Sequence, residues 1–204
     1  MTYHPTTFYP DKMTIQNLLS VVFFACFVAM VLIRAAILRK QGVRVLVFGQ
    51  TDKSDFLLVP IVLAIAYTAL ANTFALPIWR VLVNPFWSSA APGWAGLALC
   101  VIALTGFALT LASFGKSFRV GIDNGSPDKL ITGGMFAISR NPIYVCFLLF
   151  FAGLFLIHRN IVIAAALVLF GLAIHRQVLR EERFLASYYG AEYREYCRKT
   201  RRYL

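Results

Sequence analysis

This sequence has few charged residues. Only 14% of its 204 residues are charged, whereas 59% are hydrophobic and the mean hydropathy is +0.70. A soluble domain carries roughly 25% charged residues. The scarcity of charge argues against a soluble domain and predicts an integral membrane protein.

The sequence also lacks the clustered residues that metal and nucleotide sites use. Its four cysteines lie far apart without a C-x-x-C pair, and its three histidines are equally scattered. There is no G-x-G-x-x-G motif of the dinucleotide-binding type. We therefore expect neither a disulfide nor a metal site. The residues concerned are Cys26, Cys100, Cys146, Cys197, His4, His158 and His175.

Long apolar segments dominate the rest of the chain. The first three are long enough to cross a hydrocarbon core of about 30 Å as helices. The fourth is shorter and is separated from the fifth only by His158, Arg159 and Asn160, which predicts an antiparallel helical hairpin. The five segments are Ile15–Leu38, Phe56–Trp79, Gly93–Phe114, Ile143–Ile157 and Ile161–Leu179.

These segments predict an all-α integral membrane fold with five transmembrane helices in a single domain, residues 1–204. Residues 14–114 are expected to form a three-helix scaffold. Residues 115–204 are expected to hold a polar loop, the hairpin and a C-terminal amphipathic helix on the cytoplasmic side.

Basic residues are distributed unevenly between the connecting loops. Seventeen of the twenty lysines and arginines fall in the loops on one side, and only Lys12, Arg80 and Arg159 fall on the other. The positive-inside rule then places the C-terminus and the polar segments in the cytoplasm and the N-terminus outside. Anionic membrane lipids are the expected counterpart of the net charge of +11, and no nucleic acid is needed to explain it.

The first polar stretch on that side is GGMFAISRNPIY, residues 133–144. Gly133 and Gly134 permit a tight turn, and Pro142 suits the first turn of the fourth helix. The free N–H groups at that helix start can receive a carboxylate or a ribose oxygen. The alternative is a plain helix start with Arg140 among the lipid headgroups.

The second polar stretch, residues 175–196, begins where the fifth segment leaves the membrane. Glu181 and Glu182 are poor membrane anchors there because anionic lipids repel them. The alternative is that Arg176, Arg180 and Arg183 only neutralise them through salt bridges within the helix.

Aromatic and apolar residues alternate with charges after the two glutamates. This spacing predicts an amphipathic helix that either lies on the membrane or closes over the bundle. Gly190 is expected to break or bend it. The residues are Phe184, Leu185, Tyr188, Tyr189, Tyr193 and Tyr196.

Together, the two stretches resemble the isoprenylcysteine carboxyl methyltransferase and phospholipid methyltransferase superfamily. The resemblance rests on DKLITGGMFAISRNPIYV, a hairpin, and then EERFL…YYGAEYREY, and covers about the last 90 residues, from Phe114 onward. It implies an integral membrane enzyme that transfers a methyl group from S-adenosylmethionine to a lipophilic acceptor, without a Rossmann fold.

The resemblance also implies the residues of the site. A sulfonium cation suits aromatic faces and a buried carboxylate. The implied cofactor-binding residues are Asp128, Lys129, Leu130, Ile131, Phe136, Asn141, Pro142, Tyr144 and Glu181. We expect catalysis to involve Glu181, Tyr144 and Arg140, and the acceptor to meet Gln177, Arg176, Arg180 and Glu182.

Two positions depart from the pattern of the prenylcysteine enzymes. Asn141 stands where those enzymes commonly have histidine, although phospholipid methyltransferases also show N-P-x-Y. Gln177 stands where they carry an arginine that would pair with a substrate carboxylate. Arg176 and Arg180 are expected to project away from Gln177 on the helix. These departures favour a neutral or basic lipophilic acceptor, an amine or a thiol, over a carboxylate.

Other functions remain possible from the sequence. Within the methyltransferases the main alternative is a phospholipid N-methyltransferase. Outside them, the alternatives are a membrane reductase of the sterol type, a non-catalytic scaffold and a small transporter. A transport path would need more polar residues within the membrane than Asn72, Thr68 and Thr73. We expect these three side chains to form hydrogen bonds within the helix bundle.

Small residues in the third segment permit close helix packing. Gly93, Gly96 and Gly106 allow this either inside one chain or across a homodimer.

Overall fold

A computed structural model describes residues 14–40, 58–114 and 130–204. Within these ranges the chain forms helices and no strand, apart from one isolated bridge between Ser139 and Arg201. The helices are α1 (Ile15–Lys40), α2 (Leu58–Phe74), α3 (Arg80–Val83), α4 (Ala91–Phe114), α5 (Pro142–His158), α6 (Ile161–Tyr189) and α7 (Ala191–Lys199), with a 3-10 turn at Gly134–Ala137.

Three helices in the described ranges are long and apolar enough to cross a membrane. They are α1, over Ile15–Ile37, α4, over Ala91–Ser113, and α6. Helices α2 and α5 are apolar but have only 17 residues each. The all-helical fold is thus as predicted, whereas the predicted count of five spans remains an expectation.

The hairpin between α5 and α6 has the predicted tight polar turn. Arg159 adopts a left-handed conformation, with φ 44° and ψ 38°, directly after α5. Asn160 then caps α6, because its side-chain oxygen accepts a hydrogen bond from the Ile163 N–H at 3.0 Å. The Asn160 side chain is fully buried.

Helix α6 extends well beyond the apolar segment. The apolar run ends at Leu179, but α6 continues without interruption to Tyr189. No proline or glycine interrupts residues 172–189, so nothing local stops the helix. It ends at Gly190, whose φ of 54° is unfavourable for other residues.

Helix α7 follows Gly190 and folds back onto the protein. Its Tyr193 and Tyr196 are buried in a cluster with Phe136 of the 3-10 turn. Of the two predictions for this amphipathic segment, a helix that closes over the bundle fits the structure better than a helix that lies on the membrane surface.

Helix α5 packs most extensively against α4, at a glycine crossing. A Cβ atom added to Gly96 would lie 2.5 Å from the carbonyl oxygen of Gly153, and one added to Gly153 would lie 2.6 Å from that of Gly96. Gly106 similarly faces Cys146, and Gly93 faces Gln16. The glycines of α4 thus serve packing inside one chain.

Phenylalanine rings fill the space around this crossing. Phe27 of α1 stacks on Phe150 with ring centroids 4.7 Å apart, and on Phe107 of α4 at 5.1 Å. Phe151 meets Phe170 of α6 edge-on at 4.6 Å. Four helices therefore share one aromatic core.

Buried polar residues join the helices near the hairpin turn. His158 hydrogen-bonds Ser20 of α1 at 2.9 Å and Asn72 of α2 at 3.4 Å. The Thr68 and Thr73 hydroxyls donate to carbonyl oxygens one turn earlier in α2. As predicted, these polar residues bond within the bundle.

The glycine crossing generates a prediction. Gly96→Ala should destabilise the protein by about 1–3 kcal/mol, because the added methyl group forces α4 and α5 apart. Gly171→Ala is the matched control, since its Cβ would meet its nearest neighbour, Leu148, at an ordinary 3.7 Å. The midpoint of thermal unfolding in detergent measures both. Equal midpoints for the two variants would contradict the tight crossing.

Candidate functional site

The segment that precedes α5 packs against α4. Its last residues and the first turn of α5 form the R-N-P-x-Y turn, residues 140–144. Gly134 has φ 61°, and a Cβ there would lie 2.4 Å from the Ser113 hydroxyl oxygen, which instead accepts a hydrogen bond from the Met135 N–H at 3.3 Å. Pro142 then occupies the first turn of α5, as predicted. This arrangement points the residues from Arg140 to Tyr144 towards α6.

The carboxylate of Glu182 is the centre of a buried polar network. Its side chain accepts hydrogen bonds from the Asn141 amide at 3.2 Å and from the Arg202 Nε at 2.9 Å. Arg140 lies 3.6 Å away on the same carboxylate. Glu182 is only 8% exposed, so this charge is balanced by protein groups rather than by water.

The same network fixes the C-terminal tail. The Asn141 amide also donates to the Arg202 carbonyl oxygen at 3.1 Å, and the Arg140 N–H donates to the Arg201 carbonyl oxygen at 2.9 Å. The hydrogen bond to Glu182 raises the pKa of Arg202 above its usual value. The tail is therefore bound to both the start of α5 and the middle of α6.

A second cluster surrounds Glu181. The Tyr144 hydroxyl donates to its carboxylate at 2.6 Å, and the Gln177 amide donates to the same oxygen at 2.8 Å. All three side chains are partly buried. The structure thus brings together a phenol from α5, a carboxylate from α6 and an amide one turn earlier on α6.

Arg180 lies next to this cluster, which corrects one expectation. We expected Arg180 to project away from Gln177, but its guanidinium donates a hydrogen bond to the Gln177 side-chain oxygen. Residues three positions apart on a helix are neighbours on its surface. Arg176, by contrast, is exposed.

Apolar residues continue the site one turn beyond Glu181. Phe136, Tyr193 and Tyr196 form a buried cluster against which further residues pack, namely Leu130, Ile131, Leu185, Ala186, Tyr189 and Cys197. Burial raises the pKa of Tyr196 to about 12, so its hydroxyl keeps its proton and donates to the Phe136 carbonyl oxygen at 2.6 Å. Of the predicted cofactor residues, Asp128 and Lys129 lie outside the described ranges.

Three participants in this region were missed at the sequence level. Arg202 binds Glu182. The Ser139 hydroxyl accepts a hydrogen bond from the Asn141 N–H at 3.1 Å. The Cys197 sulfur accepts one from the Arg140 guanidinium. No local pattern marks them. The basic run at the end of the chain was the available signal for Arg202.

Comparisons with known proteins identify a family for this chain. A family model described as phospholipid methyltransferase matches residues 91–192, which hold α4, the R-N-P-x-Y turn, the hairpin and both glutamates.

Two curated relatives are named for metal resistance. The cobalt-zinc-cadmium resistance protein CzcN of Cupriavidus metallidurans is 31% identical over 132 residues, 60% of this chain and 60% of that protein. The nickel-cobalt-cadmium resistance protein NccN of Alcaligenes xylosoxydans is 29% identical over 131 residues, 60% of this chain and 61% of that protein. The match thus spans about three fifths of each relative. In the described ranges of this chain, no group of three or more histidine, cysteine or acidic residues is placed to hold a metal ion.

The Glu182 network generates a prediction about stability. Glu182→Gln should cost about 3 kcal/mol, because it leaves the largely buried Arg140 without its counter-charge. Glu195→Gln is the control, since Glu195 is exposed and, among the described residues, pairs only with the exposed Arg198 and Lys199. That variant should lose less than about 1 kcal/mol.

Thermal unfolding midpoints, together with the rate of proteolysis at the C-terminal arginines, measure the difference. Equal stability of the Glu182 and Glu195 variants would contradict a buried, charge-balanced network.

Proposed function

The chain belongs to the phospholipid methyltransferase family, and from this premise we propose that it transfers a methyl group from S-adenosylmethionine to a lipophilic acceptor. The observation that carries the proposal is the 2.6 Å hydrogen bond between Tyr144 and Glu181, which joins the R-N-P-x-Y turn to the paired glutamates. Family membership favours this function over a sterol-type reductase, a scaffold or a transporter.

The chemistry of these residues fits the proposed cofactor. A sulfonium is a cation, so it is stabilised by a carboxylate and by aromatic faces. Glu181 and Tyr144 provide both at one place. Leu185 lies one turn beyond Glu181 and packs in the cluster of Phe136, Leu130 and Ile131, which offers an apolar surface for an adenine ring. In this proposal Asn141 and Pro142 position Tyr144 from the start of α5.

The residues of the chain bind and orient the reacting groups. S-adenosylmethionine, when bound, supplies an electrophilic methyl group on a positively charged sulfur. The negative charge of the Glu181 carboxylate would stabilise the positively charged sulfur beside it. The hydrogen bonds from Tyr144 and Gln177 fix this carboxylate in one orientation. Alignment of the acceptor atom with the methyl group lowers the remaining barrier. In this proposal Glu181, rather than Glu182, meets the acceptor, because the Glu182 carboxylate is bound by two arginines.

The polar residues around the acceptor support two candidate acceptor classes. Gln177 carries no charge, which favours an amine or a thiol, and an amine-bearing phospholipid fits the name of the family. Arg180 donates to the Gln177 oxygen, and this nearby cation favours a carboxylate such as that of a prenylcysteine-type thioether. We propose the amine as the first candidate, since Arg180 is already bound to a protein acceptor.

The same proposal includes a membrane topology. We propose five spans, with α2 and α5 as short crossing helices beside α1, α4 and α6, and with the site in the cytoplasm. The uneven distribution of basic residues supports this orientation. It would place the site where S-adenosylmethionine is made. A homodimer remains an open expectation.

Removal of the Glu181 charge should weaken cofactor binding. We expect Glu181→Gln to bind S-adenosylmethionine roughly 10- to 150-fold more weakly, because a hydrogen bond or contact with a charged group contributes about 1.5–3 kcal/mol. The loss should be smaller for S-adenosylhomocysteine, which lacks the sulfonium charge. Calorimetric titration of purified protein measures both, with Glu195→Gln as control. An equal loss for both ligands would contradict a role for Glu181 at the sulfonium.

Two substitutions separate the acceptor classes. If the acceptor is an amine, Gln177→Arg should reduce turnover about tenfold, because a fixed cation repels an amine that enters protonated. Arg180→Gln should leave amine turnover nearly unchanged. Turnover of purified wild type and both variants is measured on an amine, a thiol and a prenylcysteine analogue. Strong wild-type methylation of the prenylcysteine carboxylate that is lost in Arg180→Gln would contradict the amine and support the second candidate.

A further inference from the structure

A concave site lies beside α6, on the face that carries Glu182. It is a cavity of about 650 Å³ between α6, α7 and the C-terminal tail. On α6 it extends from Leu179 to Ala186, eight residues that span about 10 Å along the helix. Leu179 is the last residue of the apolar segment, so in the proposed topology the cavity begins where that segment leaves the hydrocarbon. The headgroup layer is roughly 5–8 Å thick on each side of a membrane, so this topology places the cavity at its depth.

The charge of this cavity is strongly positive. Its lining contains the side chains of five arginines and one carboxylate, Glu182, which is already bound by two of those arginines. Arg183 and Arg194 therefore add positive charge that no acidic lining residue balances, whereas Arg198 pairs with the exposed Glu195 outside the lining. The five arginines are Arg140, Arg183, Arg194, Arg198 and Arg202.

Two donors in the cavity lining are buried without an oxygen or nitrogen acceptor. Within the part of the chain that the structure describes, they are the Arg140 Nε and the Tyr193 hydroxyl. The Cys197 sulfur lies beside the Tyr193 hydroxyl but is a weak acceptor. Tyr193 is only 3% exposed, and burial raises the pKa of its hydroxyl, so the proton is retained for donation. A buried donor that lacks an acceptor costs free energy, which a ligand oxygen would recover.

From this geometry we propose that the arginine-lined cavity binds the phosphate group of an anionic membrane lipid. Phosphate oxygens accept paired hydrogen bonds from guanidinium groups and suit a positive, partly buried lining. The depth of the cavity matches the level of lipid phosphates. A sulfonium cofactor is disfavoured here by the same positive charge. The lining does not include Tyr144 or Glu181, although it shares Ala186, Tyr193 and Cys197 with the apolar cluster of Phe136. The proposal rests on the proposed membrane topology and not on methyl transfer.

Titration of the purified full-length protein with a short-chain phosphatidylglycerol tests the proposal. Tyr193→Phe removes only the buried hydroxyl, and Arg194→Gln removes one exposed guanidinium without touching the Glu182 network. Each should raise the Kd for the lipid about tenfold. The matched controls are Tyr188→Phe and Lys199→Gln, exposed residues outside the cavity, and these should change the Kd less than about twofold.

Further titrations identify the ligand class. Inorganic phosphate should bind more weakly than the lipid, and S-adenosylhomocysteine should not displace the lipid. Equal binding of inorganic phosphate would overturn the assignment to a lipid, and displacement by S-adenosylhomocysteine would assign the cavity to the methyl donor. Equal loss in Lys199→Gln and Arg194→Gln would show diffuse surface attraction instead. If Tyr193→Phe fails to fold, Arg194→Gln still decides between these outcomes.

Discussion

The buried carboxylate of Glu182 is the interaction on which the polar half of this protein depends. A carboxylate that is 8% exposed needs charged and hydrogen-bonding partners, and it takes them from three parts of the chain: Arg140, Asn141 and Arg202. Because Asn141 directly precedes α5, this contact fixes where α5 starts. The position of Tyr144 on the first turn of α5, and hence its contact with Glu181, follows from it.

The two adjacent glutamates therefore have different roles, although their side chains are chemically identical. Successive residues on a helix point about 100° apart, so Glu181 and Glu182 face different surroundings. Glu182 faces arginines and is used for assembly. Glu181 faces a phenol and an amide, and Leu185, one turn further along α6, packs in the apolar cluster of Phe136. The arginine-lined cavity lies on the face of α6 that carries Glu182, and it shares Tyr193 with that cluster.

Much of this arrangement could be predicted from the sequence. The tight hairpin followed from three polar residues between two apolar runs, and Pro142 at the start of α5 followed from its missing N–H. The resemblance had already assigned Tyr144 and Glu181 to one site, and the structure joins them by a hydrogen bond. The family assignment was confirmed by the match over residues 91–192.

Other features depend on contacts that no local pattern contains. The sequence predicted a helix after the two glutamates with a break at Gly190, but its continuity with the apolar part of α6 is shown only by the structure. The partner of Glu182 is Arg202, twenty residues later and brought back by the turn at Gly190, and no spacing rule predicts that return. Arg180 was misplaced because its neighbour three residues away on the helix was overlooked.

The most direct test of the account is a transfer measurement in native membranes. Membranes that contain the protein, and matched membranes that contain its Tyr144→Phe variant, would be incubated with methyl-labelled S-adenosylmethionine and then extracted with organic solvent. The account predicts a labelled lipid-soluble product in the first sample, reduced at least about tenfold in the second, since a positioned acid–base group contributes about 10²–10⁴-fold. Equal label in both samples, at the level of membranes without the protein, would contradict it.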